Sequence, residues 1–269
     1  MQSSKIEFGP LESRLLAWAQ WRGVECVATV EMAKALRLGE EQARQLMKRM
    51  GKKGLAIALR KGLWLLPCTL PPGGRWTPAP AIVLRRLFEA VDGSYQETGP
   101  GALQYHGLSE QMANVTTVYN NRLSGRSRIG GLEFQWIKVA ESRLGHLDAA
   151  ALPERRVGSL ARVVFDAVYD SARFGTLPTA YAWIRDRVSS ASFVEELAEC
   201  AVAHGDAAAC RRLGTVFELL GVAGKARNRL HKVLPPLRTH IALVPGRSRA
   251  GKLMTTWGVI LNERGWLDV

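Results

Sequence analysis

Between residues 28 and 67 the spacing of apolar positions changes period twice. Val30, Ala33 and Leu36 recur at helical spacing, and Ala43, Leu46, Met47 and Met50 fall at i, i+3, i+4 and i+7. The period then drops to two: Leu55, Ile57 and Leu59 alternate, Arg60-Lys61-Gly62 makes a turn, and Leu63-Trp64-Leu65-Leu66 follows. Two short helices and a hairpin are predicted. Thr29 is the expected N-cap of the first helix, and Gly39 ends it and caps the second. Glu40 and Glu41 then sit in the first turn, where the helix dipole favours acids. An earlier helix over residues 11–21 should turn Leu11, Leu15 and Trp18 inward and close at Gly23. Residues 24–27 are expected to be a short strand pairing with the hairpin. This order of elements predicts a winged helix-turn-helix DNA-binding domain over residues 1–70.

Five of the 12 prolines fall in residues 67–80, around Gly73-Gly74, which marks residues 71–80 as a linker. A second, mixed domain is expected over residues 81–269. It opens with a helix near residues 79–91, whose stripe is Leu84, Leu87, Phe88 and Val91. An extended stretch at 94–97 and a short helix from Gly99-Pro100 to His106-Gly107 come next. Strands are expected at 115–119 and 129–139, the latter with Leu132, Phe134 and Trp136 alternating against Glu133 and Gln135. Helices are predicted at 160–171, 177–188, 193–204, 207–220 and 225–234, and strands at 240–244 and 257–261. The whole chain is therefore expected to be α+β.

Charge changes the picture. The net charge is +13, which points to a polyanionic partner. From Arg44 to Lys61 there are seven Lys or Arg and no acid. Arg44, Gln45, Lys48, Arg49, Lys52 and Lys53 lie off the apolar face of the second short helix, where a major groove would present base edges and phosphates. Arg60 and Lys61 would form a basic wing tip, Thr29 is counted with these residues as a DNA-binding candidate, and Trp64 would be a packing anchor between wing and helix. A second acid-free tract spans residues 219–262; its Lys225, Arg227, Arg229, Lys232, Arg247, Arg249 and Lys252 are a candidate second polyanion-binding face. No stretch is apolar for long enough to span a membrane, and residues 1–10 lack an apolar signal region, so a cytoplasmic protein is expected. Cys26, Cys68, Cys200 and Cys210 are scattered, as reduced thiols would be.

Other constellations carry less. Gly246 to Lys252 has phosphate-loop spacing, but Leu253 stands where a magnesium-binding Ser or Thr belongs. Cys200, His204 and Cys210 lack the close Cys pair of a structural zinc site and read as two buried thiols and a surface His. Glu133 and Lys138 are five apart and fall on opposite strand faces, unlike a nuclease pair. Ser124, His106 and Asp148 show no nucleophile elbow. No catalytic residue, metal or cofactor is expected.

The chain resembles the antitoxin component of AbiE-type (abortive infection) type IV toxin–antitoxin modules. The resemblance runs through L-R-L-G-E-E-Q-A-R-Q-L-M-K-R-M at residues 36–50, L-R-K-G-L-W-L-L-P at 59–67, G-A-L-Q-Y-H-G-L at 101–108 and V-T-T-V-Y at 115–119. Arg162 and Asp166, four apart, complete it; the family's Pro-Glu before that Arg is replaced here by Leu160-Ala161. The resemblance implies an autorepressor that binds double-stranded DNA at inverted repeats in its own promoter. It also implies a C-terminal domain that counteracts a co-encoded nucleotidyltransferase-like toxin. The competing readings are a plain winged-helix regulator without a toxin and an enzyme acting on nucleic acid.

Overall fold

The computed structural model describes residues 8–69, 76–222 and 224–268. Residues 71–75 of the expected linker lie outside these described residues. The architecture is α+β, with helices throughout and several small sheets.

In the N-terminal unit, α1 (Pro10–Arg22) starts with Pro at its first turn and ends at Gly23, whose φ of 63° suits a residue without Cβ. Then come β1 (Cys26–Ala28), α2 (Thr29–Leu36), α3 (Glu40–Lys52), β2 (Ile57–Arg60) and β3 (Leu63–Leu65). The sheet order is β1-β3-β2, with both pairings antiparallel and Cys26 opposite Leu65. Leu15, Met32, Leu36, Leu46, Met47 and Met50 form the core between helices and sheet. The stripe of α3 is buried as its spacing predicts. The phase of α2 differs from the expected one: Met32, Ala33 and Leu36 are inside, while Val30 is 53% exposed. Ala28, not Thr29, is the N-cap, and Glu31 accepts a hydrogen bond from its N–H. With Thr29 already inside the helix, Val30 rotates away from the core. In α1, Leu15 is fully buried, while Leu11 and Trp18 pack partly exposed against the cluster.

Helix α4 (Pro80–Ala90) buries Val83, Leu84, Leu87 and Phe88 and is grouped with this unit. Arg85 and Arg86 both pair with Glu25, and Arg60 donates to the Ala90 carbonyl at 3.3 Å. The compact units are Met1–Gly93 with Arg126–Gln135, and Ser94–Gly125 with Trp136–Val269. These contacts tie α4 to the N-terminal elements.

The second unit begins with β4 (Tyr95–Thr98), α5 (Gly99–Tyr105) and β5 (Val115–Asn120). In β4 and β5, which pair antiparallel, Tyr95 stands opposite Asn120; the hairpin of β6 (Gly125–Ile129) and β7 (Leu132–Lys138) comes next, and its residues Arg126–Gln135 are grouped with the first unit. Then follow α6 (Leu160–Tyr169), α7 (Ser171–Phe174), α8 (Thr179–Arg185), α9 (Ala191–His204), α10 (Ala207–Leu219) and α11 (Lys225–Lys232). Ser159, Ser190 and Asp206 cap α6, α9 and α10 by accepting from the N–H three residues on. Strands β8 (Ile241–Ala242), β9 (Lys252–Met254) and β10 (Val259–Leu261) make a sheet of order β8-β10-β9. The central α6 is buried from Ala161 to Val168, in one apolar cluster with Leu197, Leu213 and Phe217 among others. Neither β6 nor β9 is expected from periodicity.

Candidate nucleic-acid interface

Helix α3 and the β2–β3 hairpin enclose a groove of about 650 Å³ lined by Thr29, Val30, Glu40, Arg44, Lys48, Ala58, Arg60, Lys61, Gly62 and Trp64. Two bonds fix its width. The Trp64 indole N–H donates to the Thr29 hydroxyl at 3.2 Å, and that hydroxyl donates to the Gly62 carbonyl at 3.2 Å. Thr29 is therefore a tie between α2 and the hairpin tip and not a cap. Trp64 is the packing anchor the sequence predicts, seated where Gly51 leaves room; a Cβ there would lie 3.3 Å from the ring.

Of the predicted site residues, Arg44, Lys48, Arg60 and Lys61 are brought together in this groove, with Thr29. Lys48 projects into it with no ion-pair partner among the described residues. Arg44 and Gln45 both lean on Glu41, at 2.9 and 2.7 Å. Hydrogen bonding from Gln45 and the charge of Arg44 lower the Glu41 pKa, so the carboxylate stays ionised beside them. Arg49 and Lys53 turn elsewhere. Lys53 bonds Glu12 at 2.5 Å and Arg49 approaches it at 3.9 Å, so these two cations serve the α1–α3 contact. Glu12 is buried, a position no sequence pattern marks, and it needs those cations. Lys52 is exposed at the end of α3, outside the groove lining.

Sequence reasoning missed Val30, Glu40 and Ala58 as groove residues. Ala58 had a signal: strand alternation puts it on the same face as Arg60.

The second basic tract is partly spent internally. Arg229 pairs with Glu199 and Glu195 of α9, Arg247 with Glu263, and Arg249 donates to the His240 carbonyl. The tract is free of acids in sequence, but the fold supplies them from neighbouring segments. Lys225, Arg227, Lys232 and Lys252 have no ion pair among the described residues. The Gly246–Lys252 stretch leads into β9 and not into a helix, unlike a phosphate loop.

Within the second unit, Arg162 and Asp166 form a buried ion pair at 3.0 Å with side chains 0% and 1% exposed. Thr98 donates to Asp166 at 2.9 Å, and Arg162 donates to the carbonyls of Arg143 and Gly145. His204 is buried, contrary to the surface position expected of it; its Nδ1 bonds the Ser142 carbonyl at 2.7 Å and its Nε2 bonds His146 at 2.8 Å. Burial, with the charge of Arg162, lowers its pKa to about 4. Cys200 and Cys210 are buried free thiols. Among the described residues no group of three His, Cys, Asp or Glu is placed to hold a metal ion. These groups satisfy one another, which is the pattern of a structural network.

No protein-family model matches the chain, and no curated protein matches it. Among solved structures the chain is similar to the crystal structure of the RV2827C protein from Mycobacterium tuberculosis. The likeness covers 96% of this chain and 93% of that one, with a TM-score of 0.63 and 14% identity. At that identity the likeness is one of fold. Among the described residues, no helix is long and apolar enough to cross a membrane.

Proposed function

We propose that residues 10–66 act as a winged helix-turn-helix that binds double-stranded DNA, with α3 as recognition helix and the β2–β3 turn as wing. The observation that carries this reading is the groove in which Arg44, Lys48, Arg60 and Lys61 converge from two elements. Cations on a helix face and on a hairpin tip, set apart by a fixed groove, suit a duplex backbone on either side of base edges. The action proposed is binding without turnover, and the biological role is repression of the protein's own promoter. Counteraction of a nucleotidyltransferase-like toxin by the second domain rests on the resemblance of residues 101–108, 115–119, Arg162 and Asp166 to AbiE-type antitoxins.

Fluorescence anisotropy with the duplex upstream of the gene and a scrambled duplex, titrated over salt, tests the first part. Preferential, salt-dependent binding without strand cleavage is expected. Equal or absent binding to both duplexes overturns the repressor reading, and cleavage supports an enzyme in its place. Co-expression with a neighbouring nucleotidyltransferase-like toxin tests the second part; growth arrest that the protein does not relieve removes it.

A further inference from the structure

Val30 is an apolar, β-branched side chain that faces the basic groove with half its surface exposed. Nothing in the core accounts for it, since α2 buries Met32, Ala33 and Leu36 in its place. Across the groove, Ala58 is exposed on β2 beside Arg60. Around these two apolar residues stand Arg44 and Lys48 from α3, and Arg60 and Lys61 from the hairpin. The groove therefore offers a small apolar surface among four cations, with the Glu40 carboxylate as the one acid in its lining. An occupant that fits it presents apolar carbon within a mostly anionic frame. In duplex DNA the thymine 5-methyl group, on the major-groove edge and flanked by phosphates, is such a carbon.

We infer that Val30 reads thymine: its side chain packs on a thymine methyl group when α3 enters the major groove. The inference rests on the proposed DNA-binding role and adds a specificity-determining residue to it. Val30 is held in place for this purpose by its neighbour. Thr29 ties the start of α2 to Gly62 and Trp64, so the first turn of α2 cannot swing away from the groove.

The test compares the upstream duplex made with thymine and the same duplex made with uracil, which removes every 5-methyl group and leaves the hydrogen-bonding edges unchanged. Wild-type protein should bind the uracil duplex about fourfold more weakly for each methyl contact, the worth of one buried carbon group. The Val30→Ser variant should bind the thymine duplex more weakly by a similar factor and should no longer distinguish the two duplexes. Its melting temperature should match the wild type, since Val30 is outside the core. Equal wild-type affinity for both duplexes overturns the inference and leaves the DNA-binding role standing. A variant that still discriminates as the wild type does also overturns it, because the methyl group is then read elsewhere. A wild type that binds neither duplex overturns the DNA-binding role, and this inference with it.

Discussion

Lys48 and Arg44 line the same groove but start from different states, and their replacement should read differently. Lys48 has no ion pair among the described residues, so Lys48→Ala should weaken specific and random duplexes alike and lower the salt slope by about 0.9, one phosphate contact. Arg44 is already held by Glu41 at 2.9 Å, which presents its fork in one orientation. Arg44→Ala should cost on the order of 1–3 kcal/mol at one base pair and relax preference there, measured by anisotropy on single-base variants of the duplex. Titration offers a second check. The Glu12 carboxylate is raised by burial, but Lys53, the Gly9 N–H and Arg49 outweigh this and leave its pKa below the ordinary 4.5. Its contribution to stability is thus present above that value and lost as pH falls through the lowered one. His204 is displaced the same way in number but with the opposite charge logic. The folded state holds it neutral down to about pH 4, while the unfolded chain protonates near 6.5, so stability rises with pH between those values. Denaturant midpoints from pH 7 to pH 4.5 should fall for the wild type and fall less for His204→Gln. The charges on the α3 face were legible in the sequence. Glu41 sits one turn from Arg44 and Gln45 on the same helix, whereas Glu12 was not legible as a partner, because it reads as an isolated acid until α1 packs behind α3.

At the scale of the element, periodicity read the helices well and the short strands poorly. Strand β6, Gly-Arg-Ser-Arg-Ile, has one buried residue, Ile129, and so no alternation to detect. What defines it is the turn. Gly130 and Gly131 have φ of 57° and 88°, the left-handed pair of a two-residue hairpin loop. A Cβ on Gly130 would also fall 2.7 Å from the Ile57 methyl. Gly130→Val should therefore destabilise through both backbone strain and a clash on β2, by about 1–3 kcal/mol, seen as a lower melting temperature. Within α6, the resemblance marked Arg162 and Asp166 by spacing, and packing explains them. Asp166→Ala leaves a guanidinium with 0% exposure and no counter-charge, and should cost about 3–5 kcal/mol in chemical denaturation. An effect under 1 kcal/mol would mean that the carbonyls of Arg143 and Gly145 suffice to hold that charge.

For the whole molecule, composition located a break in the chain but not the side on which α4 falls. Pro and Gly between residues 67 and 80 are a local signal, whereas the Glu25 pairs with Arg85 and Arg86 join residues some sixty positions apart. The sequence alone suggests that a fragment ending near residue 72 should fold and bind DNA, more weakly than the whole chain. The structure orders two lengths by stability. A fragment of residues 1–69 leaves Glu25 without its arginines and uncovers Ile57 and Leu59, which are 7% and 6% exposed in the intact chain. A fragment of residues 1–93 restores the Glu25 pairs and α4 but still lacks Gly130 over Ile57. Melting temperatures by circular dichroism should rise from the shorter fragment to the longer. Every groove residue lies between Thr29 and Trp64, so the longer fragment should keep duplex preference and lose it with Lys48→Ala and Arg44→Ala together. Equal melting of the two fragments would show that α4 adds nothing to the N-terminal fold. In that case the division belongs at the linker, where the prolines first placed it.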